Sequence, residues 1–95
     1  MAMTYDSGEV RRAARTVRSS VDRVTSSAQP KLRQIRSSLN SNFEGAAAEA
    51  LNRQLYDLDS DIARIVSALN ALAQTLTKFA DEIDAADEKI KNAML

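Results

Sequence analysis

Apolar residues recur every three or four positions from Ala48 to Ala93: Ala48, Leu51, Leu55, Leu58, Ile62, Ile65, Leu69, Leu72, Leu76, Phe79, Ile83, Ala86, Ile90 and Ala93. An α-helix places positions with that spacing on one stripe. The pattern therefore predicts a single long helix whose seam faces a partner along its whole length. A second stripe precedes it at Val10, Ala14, Val17, Val21, Val24, Ala28, Leu32, Ile35 and Leu39. Its steps alternate four and three except at Ala28, where two fours adjoin. Such a stutter locally unwinds a left-handed supercoil. Pro30 lies beside it, lacks a backbone N–H and crowds the carbonyl four residues back, so a kink is expected near Ser26–Pro30.

The helix ends carry their own signals. Asp6 with Glu9 three residues on resembles a capping box, which starts the first helix. Ser41 with Glu44 repeats that spacing, so the second helix is read as beginning as early as Asn42, with Gly45 in its first turn. The small residues Ala46, Ala47 and Ala48 then let the two backbones approach, and Gly45 is read as a packing requirement. Phe43 is the large apolar group at the corner, able to fold over the hairpin end or to point outward. The expected fold is all-α, an antiparallel two-helix hairpin forming one domain over residues 1–95. It has a first helix over about 7–40, a turn over about 41–45 and a second helix over about 46–92.

Folding about residue 43 sets Leu39 near Ala48 and Val10 near Phe79. Beyond Phe79 the second helix outruns the first at about 1.5 Å per residue. Ile83, Ala86, Ile90 and Met94 then lack a mate within the chain apart from the short Met1–Tyr5 segment. With Ala48 as heptad position a, Val66, Ala73 and Ala80 fall at e and Ala68 at g. That apolar face is wider than one hairpin needs, whereas a four-helix bundle made of two hairpins buries it. A homodimer, or a heterodimer with another small helical hairpin, is expected. Its interface is assigned to Leu55, Leu58, Ile62, Ile65, Val66, Leu69, Leu72, Ala73, Leu76 and Phe79.

Composition narrows the chemistry. The 95 residues include no His and no Cys, which removes the usual general base, the commonest metal ligand and thiol chemistry. Nothing groups carboxylates as a carboxylate-only site needs, so no catalytic residue, metal or cofactor is assigned and the chain reads as non-enzymatic. Through Asn40 there are eight basic and three acidic residues, and from Ser41 onward five basic and ten acidic. A basic first helix folded back on an acidic second helix is favoured, with charge selecting register and partner more than it stabilises. The arginines from Arg11 to Arg36 are scattered around their helix without interleaved aromatics, which argues against nucleic acid. No stretch approaches the roughly twenty apolar residues of a membrane span. Mixed-sign polar faces and the lack of Trp disfavour surface binding to lipid. The first residues lack the basic and apolar regions of a signal peptide.

A helix-turn-helix chain of this length with an aromatic-x-Gly corner at its midpoint resembles the WXG family of type VII secretion substrates. The family's Trp-x-Gly falls at the hairpin turn, and the matching residues are Phe43, Glu44 and Gly45. Phe in place of Trp keeps a large aromatic but loses the indole donor. The family also carries a Tyr-x-x-x-Asp/Glu export signal near the end of the second helix. Here that stretch reads Ile83-Asp84-Ala85-Ala86-Asp87, so Asp87 supplies the acid while Ile83 replaces the Tyr. A literal Tyr-x-x-x-Glu at Tyr5–Glu9 lies at the wrong end of the chain. The degenerate signal suggests that a partner supplies a complete one. The resemblance implies a bacterial protein held in the cytoplasm before export, and extracellular or at the cell surface after it, without a cleaved signal. It acts as a secreted substrate or as a targeting helper, its further partners being a larger type VII effector and the export ATPase. A cytoplasmic coiled-coil scaffold that is never exported is the alternative.

Overall fold

The computed structural model describes residues 6–42 and 44–94, so Phe43 lies outside the described residues. All regular structure among them is helical, as the spacing predicts. The elements are α1 (Ser7–Arg23), a π-helical turn (Val24–Ala28), α2 (Gln29–Asn42) and α3 (Ala46–Ala93), giving a helical hairpin topology. Contacts divide the chain into two compact units. One joins the residues up to Ser19 to those from Leu69 onward, and the other is Ser20–Ala68.

Asp6 starts α1 as its sequence position suggests. Its carboxylate accepts from the Gly8 backbone N–H at 2.9 Å, and its carbonyl accepts from Glu9 and Val10. Two of the donors left free at a helix start are thereby satisfied.

The stutter takes a definite form. The helix makes one wide turn over Val24–Ala28, in which the Gln29 N–H donates to the Val24 carbonyl five residues back. A π turn inserts one residue into the helical repeat, so inward positions step from Val24 to Gln29 and then to Leu32, Arg36 and Leu39. Pro30, with no N–H to give, follows immediately. The Thr25 hydroxyl donates to the Val21 carbonyl at 3.1 Å and the Ser26 hydroxyl to that of Asp22, supplying extra donors at the entrance to the turn. As a consequence Ala28 and Ile35, both expected in the core stripe, are exposed, and Arg36 turns inward instead.

The corner also differs from expectation. Ser41 does not cap the second helix. It belongs to α2, where its hydroxyl donates to the Ser37 carbonyl at 3.0 Å. Gly45 begins α3 from outside, its carbonyl accepting from the Glu49 N–H at 3.1 Å. Its φ of +99° lies in the left-handed region, and a Cβ there would meet nothing within 4 Å. The glycine is required by backbone conformation, not by packing.

In the unit holding Ser20–Ala68, Val21 and Leu32 are buried, and Val24, Leu39, Ala48, Leu55, Ile62 and Val66 are half-buried. The α2 and α3 stretches run antiparallel there, Arg36 meeting Asp59 and Asn40 meeting Asn52. These four residues form a polar layer in the seam. Among their atoms Arg36 Nε, Asn52 Oδ1 and Asp59 Oδ1 are buried without a hydrogen-bond partner.

The other unit has an Ala-rich seam. Ala14 is buried, and Ala73 and Ala80 are fully enclosed at 0% exposure. Side chains this small let helices pack closely but remove little apolar area from water. Arg11 reaches Asp81 and Asp84 across the unit, so pairing continues through the half-buried Ile83, beyond the end expected at Phe79. Every residue from Asp84 to Met94 is exposed.

Candidate partner-docking surface

The position of the seam on α3 decides what remains outside. Heptad positions a (Ala48, Leu55, Ile62, Leu69, Leu76 and Ile83) are half-buried, as the stripe predicts. Their companions in the seam are the e positions Asn52, Asp59, Val66, Ala73 and Ala80. The d positions Leu51, Leu58, Ile65, Leu72 and Phe79 are exposed. The expectation of an a/d seam facing one partner is thus corrected: a and e close the hairpin, and d looks outward. The width at Val66, Ala73 and Ala80, read from sequence as surplus for a second hairpin, is consumed within the chain.

Each outward d residue precedes an inward e residue by one position, as Leu58 precedes Asp59. Ile35 precedes the inward Arg36 in the same way. In an antiparallel pair, residues offset from their inward neighbours by the same step lie on the same side. Ile35, Leu51, Leu58 and Ile65 therefore share one face of the Ser20–Ala68 unit, with Leu58 48% and Ile65 55% exposed. Around Ile65 and Leu72 the chain carries no charge from Ile65 to Thr77. Grouped exposed residues of this size mark an interaction surface. Covering one fully would contribute roughly 1.5–3 kcal/mol.

Of the residues assigned to an interface from sequence, Leu58, Ile65, Leu72 and Phe79 stand outward. Leu55, Ile62, Val66, Leu69, Ala73 and Leu76 line the intramolecular seam. Ile35 was missed as an outward residue, because the π turn that rotates it is not visible in spacing alone.

Polar groups mark the other side. The Arg11 guanidinium lies 2.8 Å from an Asp81 oxygen and 2.7 Å from an Asp84 oxygen. Hydrogen bonds from the Ser7 hydroxyl, and then from Arg11, hold the Asp84 carboxyl below its ordinary range. The same bonds, from Asp84 first and Asp81 second, raise Arg11. This clamp was foreshadowed only by the opposite charges of the two halves. Ile83 and Asp87 lie four residues apart on α3, Ile83 half-buried and Asp87 exposed. At the corner, Leu39, Glu44, Ala47, Ala48 and Leu51 line a groove of about 210 Å³. No described helix is long and apolar enough to cross a membrane.

A helical hairpin that closes its own seam with small residues and turns an apolar stripe outward is a pairing module. The sequence model of the family described as "Proteins of 100 residues with WXG" (WXG100) matches residues 2–88, and the chain belongs to that family. The family is associated with type VII secretion, and its members form dimers of helical hairpins. No curated protein matches the chain, and no solved structure does.

Proposed function

We propose that this protein is a non-enzymatic type VII secretion protein that acts by pairing. It is either a small secreted substrate or a targeting helper for a larger effector. The observation that carries the reading is the outward stripe of Leu51, Leu58, Ile65 and Leu72 on α3, in a chain of the WXG100 family. A second hairpin, of this chain or of a similar one, covers the stripe and completes a four-helix bundle. The exposed end of α3 after Ile83 then presents a helical signal to the export ATPase, with Asp87 as its acid. Phe43-Glu44-Gly45 serves as the corner, with Gly45 setting the backbone.

Export is tested by fractionating a culture of the native host and taking intact masses of the chain from cells and medium. Unprocessed protein in the medium of unlysed cells supports the substrate role. Retention in the cytosol beside an exported partner supports the helper role, and retention with no exported partner overturns both. Deleting Ile83–Leu95 should leave the rest helical and abolish delivery. Unchanged delivery would remove the signal from that segment.

A further inference from the structure

The groove beside the turn and the bare end of α3 have complementary chemistry. The groove's walls are the apolar side chains of Leu39, Ala47, Ala48 and Leu51, and its one charged member is the exposed Glu44. At about 210 Å³ it exceeds the roughly 150 Å³ that suffices for a benzene-sized guest. A Met or Ile side chain therefore fits.

At its far end α3 offers such groups. Ile90 is 59% and Met94 82% exposed, four residues apart and so on one stripe. Lys89 and Lys91 flank that stripe on either side, and Asp87 lies one turn back along the helix. Two lysines around an apolar stripe match a carboxylate at the rim of an apolar groove. The backbone adds to the match. The first turn of a helix carries partial positive charge and the last turn partial negative charge, so the start of one α3 receives the end of another favourably.

We infer that the groove of Leu39, Ala47, Ala48 and Leu51 is the docking site for the α3 end of a second copy of this chain, with Ile90 and Met94 entering and Lys91 facing Glu44. The inference rests on the pairing reading and deepens it, naming the second copy as the partner and the turn as its contact.

The chain has no cysteine of its own, which makes a cross-link test clean. Full-length Ala47→Cys and Met94→Cys chains, mixed and oxidised with copper–phenanthroline, can join only between copies. The expected result is a mixed disulfide at least about tenfold more abundant than that of Ala47→Cys with Ser67→Cys, whose site is exposed mid-helix. Wild-type chain is sedimented in parallel over a range of concentrations. Dimer without the enriched cross-link overturns the docking site and leaves pairing intact. Monomer at every concentration overturns both. A charge exchange gives a second measurement. Glu44→Lys and Lys91→Glu should each weaken self-association about two- to fivefold, the range for exposed ion pairs, and the double variant should recover it. Failure of the double variant to recover, with both single variants weakened, places Lys91 away from Glu44 and overturns the orientation.

Discussion

The Arg36 guanidinium lies over the Tyr56 ring, 5.3 Å from its centroid, with an Asp59 oxygen at 3.9 Å. An apolar seam thus contains a cation held by an aromatic face on one side and a carboxylate on the other. The face is specific to the ring quadrupole. Tyr56→Leu keeps apolar contact with the arginine stem and loses that attraction. It should lower stability by about 0.5–1 kcal/mol in urea denaturation. An unchanged midpoint would mean that the ring contributes only area.

The clamp at the other unit predicts an acid response. Because Asp84 is held below its ordinary value of 3.8 in the folded chain, the unfolded chain binds more protons as pH falls below that region. Its contribution is therefore fully present above about pH 5 and is lost as pH falls through the folded value. Asp84→Asn should flatten the acid limb of the stability curve and leave the neutral-to-alkaline limb parallel to wild type. The site is solvent-exposed, so the effect is small and best read by difference. An acid limb of unchanged slope would remove Asp84 from the titration.

At the corner, Gly45→Ala forces a side chain into the left-handed region at φ +99°. The expected cost is about 1–2 kcal/mol, and Gly45→Asn should cost less because Asn tolerates that region better. Chemical denaturation of the three chains checks the order. Equal stability of the Ala and Asn variants would contradict a purely conformational requirement, since space around the position is open.

Inner and outer faces of α3 should respond oppositely. Ala80→Leu places a large side chain where exposure is 0%, and overpacking of this kind costs typically 1–3 kcal/mol. Ile65→Ser, on the outward stripe, should leave the single chain nearly as stable and raise the dissociation constant of the pair at least tenfold. Thermal melts at low concentration, set beside sedimentation at high concentration, separate the two effects. Loss of single-chain stability in Ile65→Ser would place that residue in the seam.

The π turn makes a prediction about length. Deleting Ser27 removes the inserted residue and restores alternating steps between Val24 and Leu39, so Val24–Ala28 can become ordinary α-helix. The shortened chain should keep its helicity by circular dichroism and unfold no earlier in urea. A collapse of helicity would mean that the wide turn is needed by its surroundings and is not an accommodated insertion.

The two helices, their antiparallel pairing and the midpoint break were legible because spacing and breakers encode them directly. Leu39 near Ala48 followed from counting alone, and both line the corner groove. The sorting of flanks was not legible. On α3 the d and e positions lie on either side of a, and a three-four pattern is equally consistent with either beside the seam. Apolar Leu58 outside and charged Asp59 inside reverse the usual preference, and only the Arg36 contact explains the exchange. The stutter at Ala28 was visible, but spacing cannot tell a kink from a wide turn that rotates everything after it. Ser41 misled for a similar reason. A serine hydroxyl caps a following helix or bonds the carbonyl four residues back, and the same three-residue spacing to Glu44 fits both.

The alanines in the seam carry a consequence for the protein's life in a cell. Ala14, Ala73 and Ala80 close the helices with very little buried surface, and among the described residues no large side chain is fully enclosed. A chain so thinly held spends an appreciable share of its time open unless another surface occupies it. Its abundance is then set by mass action, because occupied molecules persist while solitary ones are cleared by proteases. The size of the pool follows the supply of the partner, with no dedicated regulator required.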